Sequence, residues 1–242
     1  MDNHHSMNNM EFSGQPLKLP VENFDVGHEK TIKRHGELLP SSIRAIFCGP
    51  SNCGKTNSLM TLITHSNGLR FENLYVYSKS LYQPKYKYLE NLLEDVEGVN
   101  YNPCSEHESV VPADDVLPNT VFVFDDDACE KQNNMRAYFC MGRHKNVDCF
   151  YLCQSYAQVS KHLIRDNVNL LAVFRQDEVN LRHIYDDHVT TDMSFNRFKE
   201  LCRECWGNEK YGFLVIDKDR PMNDGRYRKG FDSFAINITG DK

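Results

Sequence analysis

Residues 49–56 read Gly49-Pro50-Ser51-Asn52-Cys53-Gly54-Lys55-Thr56, which fits the phosphate-binding pattern G-x-x-x-x-G-K-[ST] at every fixed position. The apolar run 43–48 before this loop is typical of a buried strand, and 57–65 after it carries apolar residues at helical spacing. A glycine-bearing turn between a strand and a helix N-terminus presents several backbone N–H groups to an anion, and the helix dipole adds positive potential. The stretch therefore predicts a loop that binds a nucleoside triphosphate.

The residue types within this loop suggest separate roles. We expect residues 49–56 to cradle the phosphates of ATP, with the Lys55 ammonium on the β- and γ-phosphates. The Thr56 hydroxyl is the expected ligand of Mg²⁺. The predicted cofactors are therefore ATP and Mg²⁺.

Composition limits the class of protein. The chain has 242 residues, of which 40% are hydrophobic, which suits one α/β domain with a sizeable core. It has no apolar stretch near the roughly twenty residues of a membrane helix, and its N-terminus lacks the apolar core of a signal peptide. Nine cysteines, several inside apolar runs, indicate a reducing compartment, the cytosol or nucleus. The net charge of −6 argues against a uniformly basic DNA-coating surface, but a small basic patch can add up around a ring.

The pattern of elements predicts an N-terminal arm followed by one domain. Residues 1–36 lack periodicity and predict a flexible arm, with a solvated basic cluster at Lys30, Lys33, Arg34 and His35. Over 37–242, β-rich runs alternate with helical patterns, which predicts an α/β fold with a mostly parallel sheet flanked by helices. Strands are predicted at 43–48, 73–78, 120–124, 148–153 and 169–174, helices after Pro84 and at 129–141, 177–188 and 194–205, a loop at 102–118, and late, antiparallel edge strands at 211–216 and 234–238.

The strand predicted at 120–124 runs into three aspartates, which suggest the acidic half of a nucleotide-hydrolysing site. A parallel strand delivers such carboxylates to the same edge of the sheet as the phosphate-binding loop. Asp125 is expected to hold Mg²⁺, and Asp126 to orient and polarise the attacking water as general base. The alternative register, in which Asp126 and Asp127 form the pair, stays open, as does an acidic turn without chemistry.

The strand predicted at 148–153 ends in Gln154. An amide at this position can lie beside the γ-phosphate and report hydrolysis to the rest of the domain. This role implies that the strand is inserted between the phosphate-loop strand and the acidic strand. An ordinary loop amide is the alternative.

Three arginines are candidates for insertion into the site of a neighbouring subunit: Arg143, Arg165 and Arg175. A guanidinium near a neighbour's γ-phosphate stabilises the negative charge of the transition state. Arg143 or Arg165 is favoured, and an ordinary surface or ion-paired arginine is the alternative for each.

Other constellations carry weaker signals. Cys202 and Cys205 form a C-x-x-C pair without a second pair at zinc-ligand spacing, so no metal site is expected there. Trp206 is interpreted as a packing residue. The basic run 226–229 could touch a phosphate backbone, although a solvated hairpin is the favoured interpretation. The same holds for Lys145, Lys161 and His162.

The order of these motifs resembles that of viral genome-packaging ATPases of the poxvirus type, which are relatives of the FtsK and HerA DNA pumps. The motifs are the phosphate-binding loop, Phe124-Asp125-Asp126, Gly142-Arg143-His144 and the strand that ends in Gln154. Arg165-Asp166-Asn167 and Val173-Phe174-Arg175 add to a likeness that covers about residues 40–190. The resemblance implies a RecA-like P-loop NTPase of the ASCE class that assembles with itself into a ring and uses ATP to move double-stranded DNA. It also implies a capsid protein as partner, a location inside a host cell or with the virion, and a viral or transposon origin.

Two other classes of function remain in view. A nucleotide-gated DNA-binding scaffold, or a domesticated relic without turnover, would keep the loop and lose catalysis. A small-molecule or nucleotide kinase shares the loop, but such enzymes usually carry an arginine-bearing lid, and none is evident. A GTPase is disfavoured because the Asn-Lys-x-Asp motif is missing from the sequence.

Overall fold

The computed structural model describes residues 33–106, 109–125, 133–141, 146–162, 164–207 and 211–238. Residues 33–242 form one unit. Most of the predicted N-terminal arm lies outside the described residues, and the arm stays a prediction. None of the described helices is both long and apolar enough to cross a membrane.

The core of the unit is a nine-stranded sheet among the described residues. Its strands are β1 (Arg44–Cys48), β2 (Asn73–Ser78), β3 (Asn100–Cys104), β4 (Thr120–Asp125), β5 (Val147–Cys153), β6 (Leu170–Phe174), β7 (Phe213–Asp217), β8 (Tyr227–Lys229) and β9 (Ser233–Phe234). They lie in the order β3-β2-β4-β5-β1-β6-β7-β8-β9. The first six in this order are mutually parallel, and β7, β8 and β9 are added antiparallel at one edge.

Five helices of the described chain flank the sheet: α1 (Lys55–Thr64), α2 (Pro84–Glu94), α3 (Asn133–Met141), α4 (Glu178–His188) and α5 (Phe195–Trp206). Leu59 of α1 and Leu89 of α2 belong to the apolar cluster on one face of the sheet. Tyr138 of α3, Ile184 of α4 and Phe198 of α5 belong to the cluster on the other face. The predicted fold class is therefore confirmed: an α/β protein with a mostly parallel sheet covered by helices on both faces.

The central strands are buried on both sides, which explains why they read as continuous apolar runs. Along β1, Ile46 and Cys48 enter one apolar cluster and Ala45 and Phe47 the other. β5 pairs with β1 on one side and with β4 on the other. The predicted insertion of the strand ending at Gln154 between the phosphate-loop strand and the acidic strand is thus confirmed.

The sheet edges differ from the predictions. The loop predicted over 102–118 begins inside β3, a strand that contains Pro103 and lies at the end of the sheet, where a residue without an N–H is tolerated. The strand predicted at 234–238 is reduced to β9, and β8 was not predicted. Short polar strands of this kind are formed by pairing with a neighbour and leave little apolar pattern in the sequence.

Two predictions of solvated basic residues are wrong. Arg228, expected in a solvated hairpin, is fully buried on β8 and donates hydrogen bonds to the Asp217 carboxylate on β7 and to the Leu38 carbonyl. His35, expected in a solvated cluster, is buried with its Nε2 2.9 Å from Asp148 Oδ2. In both places a carboxylate from a different element of the fold compensates for the lost hydration, which the local sequence does not reveal.

Candidate nucleotide-binding site

The loop between β1 and α1 has the backbone shape that its glycines predict. Asn52 (φ 61°) and Gly54 (φ 110°) adopt left-handed conformations, which glycine adopts without strain. A Cβ on Gly49 would lie 2.6 Å from Cβ of Phe174 and 2.6 Å from Sγ of Cys53, so only glycine fits there. The chain therefore turns tightly from the end of β1 into the first turn of α1.

Lys55 lies across this turn. Its Nζ donates to the backbone oxygens of Gly49 at 2.6 Å and Pro50 at 3.1 Å, and the side chain is buried. The N–H groups at the start of α1 have no partner within their own helix, so they remain available to an anion. A positive side chain, helix N–H groups and a tight glycine turn converge on one place, which is the chemistry that a triphosphate requires.

Cys53 is the one residue of this loop with a thiol side chain. Burial raises the pKa of its thiol, while the nearby Lys55 ammonium acts in the opposite direction. The thiol therefore stays protonated near neutral pH and adds no negative charge beside a bound phosphate.

Asp125, the last residue of β4, lies at the same edge of the sheet as the loop. β5 separates its strand from β1, so strand spacing places the two features about 10 Å apart across the sheet. The Asp125 carboxylate is buried, with 8% of the residue exposed. The sequence-based expectation that the loop and the acidic strand share one edge is met by this topology.

A tyrosine that the sequence analysis did not identify contacts this carboxylate. The hydroxyl of Tyr86, on α2, donates a hydrogen bond to Oδ2 of Asp125. Burial and the adjacent carboxylate raise the pKa of Tyr86 far above its usual range, so the phenol is a permanent donor. The only signal in the sequence is a tyrosine in register with Leu89 and Leu93 on the apolar side of α2.

Two side chains at this edge of the sheet could hold a magnesium ion. Thr56, at the second position of α1, offers a hydroxyl oxygen and Asp125 a carboxylate oxygen, and Mg²⁺ prefers oxygen ligands. Asp126, Asp127 and Arg143 lie outside the described residues. Their assignment as base, alternative base and arginine finger therefore stays a prediction.

Gln154 follows β5 directly and is exposed, at the edge between the strands of Asp125 and the loop. The next residues are tied to α4: Ser155 Oγ donates to Oδ1 of Asn180 at 3.1 Å, and the Ala157 N–H donates to the same oxygen at 2.9 Å. This arrangement suits a sensor, because a shift at Gln154 would reach α4 through two hydrogen bonds. The sensor role itself stays a prediction.

Arg165 is occupied within its own chain. Its Nη1 lies 2.7 Å from Oδ2 of Asp187, and its guanidinium carbon lies 5.1 Å from the centre of the Tyr156 ring. To act as a finger in a neighbouring subunit it would have to leave this ion pair. Arg175, by contrast, is exposed at the end of β6 and donates to the Gly207 carbonyl at 3.5 Å. Neither finger role is decided by these contacts.

The weaker constellations have structural roles. Cys202 and Cys205 are buried, and burial raises the pKa of both thiols. Trp206 packs in the core and donates from Nε1 to the Val173 carbonyl at 2.8 Å, which confirms its interpretation as a packing residue. Lys161 pairs with Asp187.

Comparison with known proteins identifies the fold. Neither the protein-family models nor the curated proteins include a match. The genome packaging NTPase B204 from Sulfolobus turreted icosahedral virus 2, in complex with AMPPCP, matches at 12% identity and a TM-score of 0.50, over 75% of this chain and 95% of that chain. The DNA-packaging ATPase B204 from Sulfolobus Turreted Icosahedral Virus also matches at 12% identity and a TM-score of 0.50, over 73% of this chain and 93% of the other.

At these identities the likeness shows a shared fold. It confirms the fold that the motifs predict, and the two neighbours that share this fold are described as viral packaging enzymes.

Proposed function

We propose that this chain is an ATPase that moves double-stranded DNA, in a ring of identical subunits, into a viral or virus-like capsid. The observation that carries the proposal is the convergence of the Lys55 loop, Asp125 and Gln154 at one edge of a parallel sheet. The fold likeness to B204, described as a genome packaging NTPase in complex with AMPPCP and as a DNA-packaging ATPase, supports nucleotide use and DNA as cargo. The proposal includes a capsid protein as partner and a location in the host cell or with the virion.

Each of the site residues has a separate role in the proposed reaction. Residues 49–56 hold the triphosphate with backbone N–H groups, and Lys55 exchanges the Gly49 and Pro50 carbonyls for phosphate oxygens. Thr56 and Asp125 would hold Mg²⁺, which when bound neutralises the charge that develops on the phosphates.

Asp126 accepts the proton of the attacking water, with Asp127 as the alternative base. Gln154 contacts the γ-phosphate and transmits the release of that phosphate to α4. Arg143 or Arg165 of a neighbouring subunit completes the site.

The decisive experiment measures phosphate release from ATP with and without long duplex DNA at several salt concentrations. We expect the wild-type protein to hydrolyse ATP faster when duplex is present. An equal rate of ATP hydrolysis with and without duplex DNA at every salt concentration would contradict the proposed motor. ATP binding without turnover would favour the nucleotide-gated scaffold, and transfer of phosphate to an added nucleoside monophosphate would favour a kinase.

A further inference from the structure

The connection from β2 to the first turns of α2 differs in charge from the rest of the chain. Residues 79–88 contain three lysines and three tyrosines and no acidic residue, in a protein of net charge −6. Tyr82 is 73% exposed and Tyr88 60% exposed. We call the exposed side chains of this segment the basic surface, and its members are Lys79, Tyr82, Lys85, Lys87 and Tyr88.

The ammonium groups of the basic surface are not used to hold the fold. Within the described part of the chain, no ion pair involves Lys79, Lys85 or Lys87. Of the other basic candidates for DNA contact, Lys161 pairs with Asp187, Arg226 with Asp192 and Arg228 with Asp217, whereas Lys145 lies outside the described residues. Unlike these three residues, the lysines of the basic surface form no ion pair among the described residues.

The charge distribution along α2 cannot be explained by helix stability. Lys85 and Lys87 lie in its first turn, whereas Glu90 and Glu94 lie towards its end. A helix dipole favours the reverse arrangement, with acids at the N-terminus and bases at the C-terminus. The arrangement instead brings positive charge to the edge of the sheet that holds the nucleotide-binding site.

The basic surface also begins beside the metal-binding carboxylate. Ser78, the residue before Lys79, is paired in register with Asp125. Tyr86 lies inside the segment, faces the core and donates to Asp125. A ligand that pulls on Lys85 or Lys87 therefore acts on the same helical turn that supports Asp125.

We propose that the basic surface binds the phosphate backbone of double-stranded DNA. This inference rests on the proposed function and specifies where the cargo touches the motor. Lysine ammonium groups and tyrosine hydroxyls both donate to phosphate oxygens, and such contacts carry no dependence on base sequence. A motor that moves along any duplex requires contacts of that kind.

The test compares two double variants by fluorescence anisotropy of an end-labelled duplex, without nucleotide and with a non-hydrolysable ATP analogue. Lys85→Ala/Lys87→Ala removes two charges from the basic surface. Lys33→Ala/Arg203→Ala removes two exposed charges elsewhere and is the matched control. Lys85→Arg/Lys87→Arg keeps both charges and should retain binding. Fluorescence of Trp206 during urea unfolding shows that each variant is folded.

Counterion release fixes the expected effect. Each lysine lost from a phosphate contact reduces the magnitude of the slope of log affinity against log salt by about 0.9. The slope of the basic-surface variant should therefore be smaller than that of the wild type by about 1.8 per bound subunit. At about 0.1 M salt this corresponds to roughly sixtyfold weaker binding. The control variant should bind duplex as the wild type does.

The outcomes separate this inference from the proposed function. If the basic-surface variant binds duplex as tightly as wild type and with the same salt slope, the inference is overturned while DNA-stimulated hydrolysis can still stand. If the basic-surface variant loses affinity for single-stranded DNA but not for duplex, the proposal that this surface binds double-stranded DNA is overturned. If the wild type binds no DNA at all, the inference and the proposed motor both fail.

Discussion

Replacing Tyr86 with phenylalanine removes one hydroxyl group and keeps the ring that packs α2 against the sheet. Tyr86 is 2% exposed and Asp125 8% exposed, so water cannot readily replace the lost hydrogen bond. A hydrogen bond to a charged group contributes about 1.5–3 kcal/mol. Replacing a residue that orients a metal ligand costs about 10–100-fold in metal affinity or activity. We therefore expect Tyr86→Phe to weaken the apparent affinity for Mg²⁺ by that factor.

The assay is a Mg²⁺ titration of ATP hydrolysis at fixed ATP, together with urea unfolding of the nucleotide-free protein. Turnover should fall most at limiting Mg²⁺, and the free energy of unfolding should fall by about 1.5–3 kcal/mol. Tyr101→Phe is the matched control, because Tyr101 is a half-buried tyrosine on β3, the strand next to β2. It should leave the Mg²⁺ titration unchanged.

Two results would refute this reasoning. An unchanged Mg²⁺ titration and unchanged unfolding free energy would mean that the hydroxyl does not support Asp125. Tighter Mg²⁺ binding in Tyr86→Phe would mean that the hydroxyl competes with the metal for the carboxylate rather than orienting it.

Three further predictions concern single groups. Burial lowers the pKa of His188 from 6.5 to about 4, so the folded state favours the neutral ring. The contribution of His188 to the free energy of unfolding should therefore fall by about 2.6 kcal/mol from pH 6.5 to pH 4, and His188→Gln should remove that part of the pH dependence in urea unfolding. Arg228→Met leaves the buried Asp217 carboxylate without its guanidinium and should lower the free energy of unfolding by about 3–5 kcal/mol, with recovery when Asp217 is also replaced by leucine; no recovery would contradict the pairing. Lys55→Ala should abolish binding of a fluorescent ATP analogue, whereas Asp126→Asn should bind it and lose turnover; equal turnover in Asp126→Asn would move the base to Asp127.

How much of this molecule the sequence predicts depends on where the determining contacts lie. The central strands are predictable because residues such as Phe47 and Phe150 are buried on a sheet covered on both faces, which leaves an apolar run in the sequence. The phosphate-binding loop is predictable because its backbone geometry demands particular residues at fixed spacing. β3 is not, because Asn100–Cys104 becomes a strand only by pairing with β2.

Buried polar pairs are the other part that sequence reasoning misses. The surroundings of Arg228 are set by Asp217 on the neighbouring antiparallel strand, and those of His35 by Asp148 at the start of β5. A basic run in the sequence looks the same whether its partner is water or a carboxylate from another strand. Only the fold distinguishes the two.

Helix α2 lies between the proposed DNA-binding surface and the Asp125 carboxylate, and it can couple the two. Its inner side donates to Asp125 through Tyr86, and its outer side presents Lys85 and Lys87 without ion pairs among the described residues. Leu89 of the same helix is buried in the core, so the first turn is attached to a packed part of the fold. In the proposed motor, a DNA phosphate bound to the lysines and a metal held by Asp125 would therefore act on the same helical turn. By linkage, any change that DNA causes in the affinity for the metal would be matched by an equal change that the metal causes in the affinity for DNA.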